Sequence, residues 1–347
     1  MSRNLPARPT SYKPRLRFLH ADARPPPAGL LYFGVATVYK GFMVGRVTVL
    51  ASGSSGNATL LEVGDHTWLV DCGLPPHVLG ERLAAAGRSW KVVRAVLLTH
   101  THGDHWNRDA LEHLRRLNVP LIAHARHHVT LSSQSSYTPL ARAGLVGEYV
   151  EGVPLTLAPG VEVRAVRVPH DADPTYGFRF DATAGGSGWS LAYASDVGHV
   201  TPALLDAFAD TDVLAIEYNH DEALQRGSGR HPVLLQRVLG PNGHLSNAQA
   251  SELVETLAGR AAPGRLRHLV QLHLSKDCNT PTLARESAQA TLDRLRSTAR
   301  VTTATQHAAT TPIEVAPRPL AAGDAAKFLA AAPPRVQPSL PGMSDDV

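Results

Sequence analysis

Cysteine is nearly absent from this chain: Cys72 and Cys278 are the only two in 347 residues. That excludes a disulfide-framed secreted scaffold and fits a reducing cytoplasm, with both thiols expected as small buried residues. Long apolar runs are lacking too. The longest near the N-terminus, Leu30 to Val38, is too short to span a bilayer, so no membrane association is expected. Nor does it suit a signal peptide, because Pro25, Pro26 and Pro27 stand directly before it and no clean small-residue cleavage site follows. Charge of one sign is scarce: 34 Lys plus Arg oppose 30 Asp plus Glu, and the net +4 permits a polyanionic substrate without requiring one. Apolar residues, at 43%, are enough for a buried core without staples.

The pattern along the chain separates three regions. Residues 1–42 are rich in Pro and Arg and show no period, so they are expected to be a disordered extension. A strand is expected from Val44, and residues 43–300 form the expected folded domain. Residues 301–347, rich in Ala, Pro and Thr, are expected to be a disordered tail. Within the domain, strands are predicted at 44–50, 59–62, 67–70, 94–98, 161–168, 176–180, 191–194, 213–216 and 268–272. Helices are predicted at 78–86, 107–117, 247–258 and 281–296. Short strands in two sets with helices outside imply an αβ/βα sandwich.

The chemistry concentrates in Thr99-His100-Thr101-His102-Gly103-Asp104-His105, which follows an apolar strand and opens a helix. Imidazole nitrogen and carboxylate oxygen are the usual ligands of Zn²⁺ and similar divalent ions. His100 and His102 alternate, so both side chains can leave an extended chain on one side, while Asp104 and His105 begin the next turn. One loop does not complete a metal site. Further polar residues end apolar strands: Asp71 after Trp68-Leu69-Val70, His170 after Val166 to Pro169, Asp196 after Leu191 to Ser195, and His273 after Leu269 to Leu272. Any one alone is more commonly a satisfied buried polar group; five such positions in order point to one ligand-gathering rim.

This order of residues resembles the metallo-β-lactamase superfamily over about residues 44 to 298, which implies an α/β four-layer sandwich. The resemblance implies two divalent ions, Zn²⁺ or Mn²⁺. One would be held by His100, His102, His170 and Asp196, the other by Asp104, His105, Asp196 and His273, with Asp196 bridging. Asp71 would orient a ligand histidine. Narrower segments resemble the bacterial WalJ/YycJ branch, which is associated with nuclease activity on DNA and is similar to the ribonuclease Z type. They are Ser52 to Asn57, His170-Asp171-Ala172, Asn219-His220-Asp221, Gly243 to Asn247 and His273 to Asp277. Cys278 beside Asn279, and His231 before Pro232, depart from that pattern.

What the resemblance implies is a two-metal phosphodiesterase, an exonuclease acting on DNA through a metal-bound hydroxide that Asp104 helps to orient. His220, by the same analogy, would protonate the leaving oxygen. Ser54, Ser55 and Asn57 lie in a loop whose backbone N–H groups can approach a phosphate. Asn219, His244 and Asn279 are expected to support the site or face substrate, His244 in a structural role. Two other classes compete: a hydrolase of a small thioester or lactone, and a non-catalytic member that only binds a partner. The intact ligand set argues against the second. Metal identity, DNA against RNA, polarity and oligomeric state are not fixed by the sequence.

Overall fold

The computed structural model describes residues 43–172 and 174–320. The expectations for residues 1–42 and 321–347 therefore lie outside the described residues. The first sheet contains β1 (Gly45–Ala51), β2 (Ala58–Val63), β3 (His66–Val70), β4 (Ala95–Leu97), β5 (Leu121–His124) and β6 (Val146–Tyr149). The second contains β7 (Leu155–Ala158), β8 (Val161–Val168), β9 (Thr175–Ala184), β10 (Ser187–Ala194), β11 (Val213–Glu217), β12 (His268–Leu272) and β13 (Arg300–Thr303). Two short strands follow: β14 (Ile313–Val315) joins the first sheet beside β1, and β15 (Arg318–Pro319) pairs with β10. The helices are α1 (Pro76–Ala85), α2 (Arg108–Leu117), α3 (Ala125–Leu131), α4 (Tyr137–Arg142), α5 (Pro202–Phe208), α6 (Glu222–Arg226), α7 (Pro232–Leu239), α8 (Asn247–Arg260) and α9 (Pro281–Arg294).

Strand alternation builds the layers. Successive side chains of a strand point to opposite faces, so a strand apolar at every position needs cover on both sides. In β3, Trp68 and Val70 enter the core between the sheets, where Val163, Phe178, Phe180, Tyr193 and Leu272 meet them. Leu69 faces the other way, toward Leu79 and Leu83 of α1 and Leu111 and Leu114 of α2. On the second sheet, Leu214, Ile216 and Leu269 pack outward on Phe208 of α5, Leu253 and Val254 of α8 and Leu292 of α9. Helix, sheet, sheet, helix: the expected four layers are present. No helix among the described residues is long and apolar enough to cross a membrane.

Sheet direction gathers the site. β3 and β4 are parallel, as are β10, β11 and β12, and β8 runs with them because both pair antiparallel with β9. The C-terminal ends of β8, β10, β11 and β12 therefore share one edge of their sheet. Tyr176 N–H donates to the carbonyl of Thr99, which ties the end of β4 to the second sheet.

The domain limit at 300 needs correction. Residues 301–320 contain most of β13 together with β14 and β15, and Gly45, Arg46 and Val47 pair with Val315, Glu314 and Ile313. Ile313 and Val315 are buried, so this segment covers the edge of β1 instead of leaving it open.

Candidate metal centre

Asp71 and His273 are non-glycine residues in the left-handed region, with φ of 63° and 54°. Each terminates a strand, and such backbone persists only where surrounding contacts fix it. For Asp71 those contacts are plain. Its buried carboxylate accepts from Thr99 N–H at 2.8 Å, from the Thr99 hydroxyl at 2.9 Å, and from His105 Nδ1–H at 2.7 Å. Behind it the chain crosses the histidine loop closely. Cys72 N–H donates to His105 O at 2.9 Å, and a Cβ on Gly73 would stand 1.8 Å from the Asp104 carbonyl. Glycine is required there because two backbones touch.

The histidines are held by one ring nitrogen and present the other. With Nδ1–H of His105 given to Asp71, Nε2 lies 3.1 Å from Asp196 Oδ2, a pairing without hydrogen-bond geometry. His170 Nδ1–H donates to Gly243 O at 2.9 Å, which leaves its Nε2 3.4 Å from His102 Nδ1. His273 Nδ1–H donates to Glu217 Oε1 at 3.0 Å, and its Nε2 lies 3.4 Å from Asp104 Oδ2. His100 Nε2 and Asp196 Oδ2 are buried and have no hydrogen-bond partner among the described residues. Orphaned buried polar atoms are costly unless something else engages them. Four groupings have donor atoms close enough to share an ion: His100 with His102 and His170, His100 with His105 and Asp196, Asp104 with His105 and His273, and Asp196 with Glu217, His244 and His273. All seven residues expected as ligands thus come together, and the donor set suits divalent metal ions.

The charges agree. Burial opposes ionisation of Asp196, yet His273 and His105 outweigh it and hold the carboxyl well below its ordinary range. Asp104 is likewise lowered, by hydrogen bonds from His105 and His273 that overcome burial. Burial works against a charged His273, but Asp196, Asp104 and Glu217 push it up to about 10. Enclosed carboxylates here demand cationic charge.

Glu217 was absent from the sequence expectations. It ends β11 as Asp196 follows β10, it is fully buried, and both its oxygens are engaged. Oε2 accepts from the N–H groups of Val197 and Leu245 at 2.9 and 3.1 Å; Oε1 accepts from His273 and from His244 Nδ1–H at 2.7 Å. Glu217 therefore positions two histidines and has no oxygen to spare for a metal. His244, expected as structural support, stands with its ring 5.0 Å from that of His170 and 5.2 Å from that of His273. Its Nε2 meets no hydrogen-bond partner among the described residues, and its side chain is 17% exposed. Burial lowers the basicity of this ring, but the Glu217 carboxylate raises it above the ordinary value.

His220 sits elsewhere on the same rim. It is 1% exposed, neither ring nitrogen has a hydrogen-bond partner, and burial lowers its basicity. Asn219 braces His273, donating to its carbonyl at 2.9 Å. Asn279 donates to the carbonyls of Tyr218 and Asn219 at 2.8 and 3.1 Å, a scaffold role away from the ligand atoms. Asn57 is buried against the ligands, its amide 3.2 Å from Asp104 Oδ2. Ser54 and Ser55 are exposed at the loop tip, and Ser55 N–H donates to Gln306 Oε1 at 2.9 Å. Gln306 and Arg237 are further residues that sequence reasoning passed over, and Asp171 was quoted within a motif without a role. Of the two departures from the branch pattern, Cys278 is a buried free thiol and His231 caps α7.

Residues 66–264 match the family described as the beta-lactamase superfamily domain. Exodeoxyribonuclease WalJ of Streptococcus pneumoniae is 28% identical over 249 residues, covering 71% of this chain and 90% of that protein. Exodeoxyribonuclease YycJ of Bacillus anthracis is 26% identical over 252 residues, 71% of this chain and 88% of that one. Among solved structures, the metallo-beta-lactamase fold protein YhfI from Bacillus subtilis superposes with a TM-score of 0.56 at 17% identity, covering 78% of this chain and 100% of its own. With its four layers and its histidine-rich rim, the chain belongs to the beta-lactamase superfamily and carries the metallo-β-lactamase fold.

Proposed function

We propose that the chain is a metal-dependent phosphodiesterase, an exonuclease acting on DNA. His100, His102, His170 and Asp196 would hold one divalent ion, and Asp104, His105, His273 and Asp196 a second. When bound, such ions acidify water and neutralise charge on a phosphodiester. The observation that separates a phosphodiester from a thioester is the Glu217–His244 pair beside Asp196, with Nδ1–H and Oε1 2.7 Å apart; a lactone also expels an alkoxide, and against it stand the nuclease-named relatives. Cleaving a phosphodiester expels an alkoxide, which needs a proton. A thioester expels a thiolate, which needs none as urgently, because thiols lose their proton near pH 8.5. His244, hydrogen-bonded through Nδ1–H to a buried carboxylate that raises its basicity, is suited to give that proton. The two curated relatives reported above are both named as exodeoxyribonucleases.

His220 is the alternative donor, yet among the described residues no carboxylate hydrogen-bonds its ring to keep it charged. The test adds Mn²⁺ or Zn²⁺ to metal-free protein and follows end-labelled single- and double-stranded DNA beside a thioester and a lactone. Stepwise loss of nucleotides from one end is expected. Hydrolysis of the thioester or lactone with the DNA left intact would overturn the proposal, and binding without turnover of any of them would mark a non-catalytic member.

A further inference from the structure

We infer that Arg237 anchors a substrate phosphate adjacent to the one that is cut, and so helps to select a polynucleotide over a lone phosphodiester; this rests on the phosphodiesterase reading. Arg237 lies on α7, and its Nε–H donates to Asp171 Oδ2. The other oxygen of Asp171 is 3.3 Å from His170 Nε2 and 3.5 Å from His102 Nε2. The guanidinium thus stands one carboxylate's width outside two candidate ligands. From that outer position it would meet the neighbour of the reacting phosphate along a strand.

Three features favour this use. First, the side chain of Arg237 is 55% exposed, and no described group accepts from its Nη1 or Nη2, so a planar pair of donors remains for a phosphate. Second, the position is tied to the candidate site. His244 N–H donates to Val238 O at 3.0 Å, and Gly243, whose carbonyl orients His170, donates its N–H to Gly240 O at 2.9 Å. The turn after α7 therefore carries both the carbonyl that aligns a candidate ligand and the proposed proton donor. Arg237 is fixed to the same frame. Third, the inner site is acidic, with Asp104, Asp171, Asp196 and Glu217 together. Cations held there compensate the reacting phosphate, whereas flanking phosphates need a positive group farther out.

The test compares wild type, Arg237→Gln and Arg237→Lys, all loaded with the same metal. The substrates are a short DNA oligonucleotide and bis(p-nitrophenyl) phosphate, which carries only the phosphate that is cut. For Arg237→Gln the KM for DNA should rise about tenfold or more, the cost of one charge-assisted contact. The salt dependence of that KM should flatten by about one phosphate contact. On bis(p-nitrophenyl) phosphate, kcat and KM should stay near wild type, and Arg237→Lys should recover part of the DNA affinity. Metal-to-protein ratio and Tm should not move. An unchanged KM and salt slope on DNA would overturn the inference. So would equal losses on both substrates, or a fall in metal content that accounts for the loss. A wild type that cuts neither substrate removes the phosphodiesterase reading, and this inference with it.

Discussion

Replacing His244 by Ala, beside the same change at His220, separates the two candidate proton donors. His244 shares a 2.7 Å hydrogen bond with fully buried Glu217, and its ring lies 5.0 Å from His170 and 5.2 Å from His273. Loss of a positioned general acid lowers turnover by about 10²–10⁴-fold, so His244→Ala should fall in that range on DNA. The loss should depend on the leaving group. A nitrophenolate departs without help, so turnover of a nitrophenyl phosphodiester should fall far less. Metal content should hold, because Glu217 still has His273 and the N–H groups of Val197 and Leu245 as partners. Glu217→Gln should show the same dependence on leaving group, in weaker form, since the donor remains but loses the charge that raises its basicity. His220→Ala should leave that dependence intact. The assay is steady-state kinetics on both substrates, with elemental analysis of each variant. The reasoning fails if His244→Ala loses equally on both, or if His220→Ala is the variant whose loss depends on the leaving group.

Asp196→Ala should be the single change most damaging to metal content, because the two proposed ligand sets share its carboxylate and no histidine, with one oxygen near His105 and the other near His170; elemental analysis finding two ions per chain in the variant would end the bridging assignment. A separate outcome concerns pH. Burial first, and then its neighbouring cations, lower His127 from 6.5 to about 4, while its Nε2–H donates to Pro174 O at 2.8 Å. The folded state thus binds fewer protons than the unfolded one between those values. The stability from this group is fully present above about pH 6.5 and is lost as pH falls toward 4. By pH 5 the loss is about 2 kcal/mol. Denaturant unfolding of wild type against His127→Gln at pH 7 and pH 5 should show that difference, and identical pH dependence would refute it.

The candidate ligands were legible because metal coordination restricts residue type and the sandwich restricts place. A histidine or aspartate directly after an apolar strand satisfies both restrictions at once. Glu217 has the same signature at the end of Val213 to Glu217, but a glutamate ending a strand reads equally as a solvated residue, and only its total burial distinguishes it. The segment between 118 and 160 yielded no elements, since β5, β6, α3 and α4 run for 4, 4, 7 and 6 residues and are too short to show a period. Residues 301–320 were misjudged by composition. Averaged over a tail rich in Ala and Pro, the apolar alternation of Ile313-Glu314-Val315 vanishes, yet it pairs with residues 45–47.

Which histidine faces Glu217 was the least legible feature, and the reason is geometric. Asn219-His220 and His244 to Asn247 lie side by side: Asn219 N–H donates to Leu245 O, Asn247 N–H donates to His220 O, and His220 bridges Ser246. Each segment offers one histidine to the same rim. The resemblance singled out His220 and left His244 structural, because spacing within a segment says nothing about the register between two segments more than twenty residues apart. The register sets His244, two residues before the bridge, against the end of β11, where Glu217 meets it. His220, at the bridge itself, has no hydrogen-bond partner for either ring nitrogen among the described residues. A one-residue slip would exchange the environments of neighbouring side chains without changing a letter of either motif.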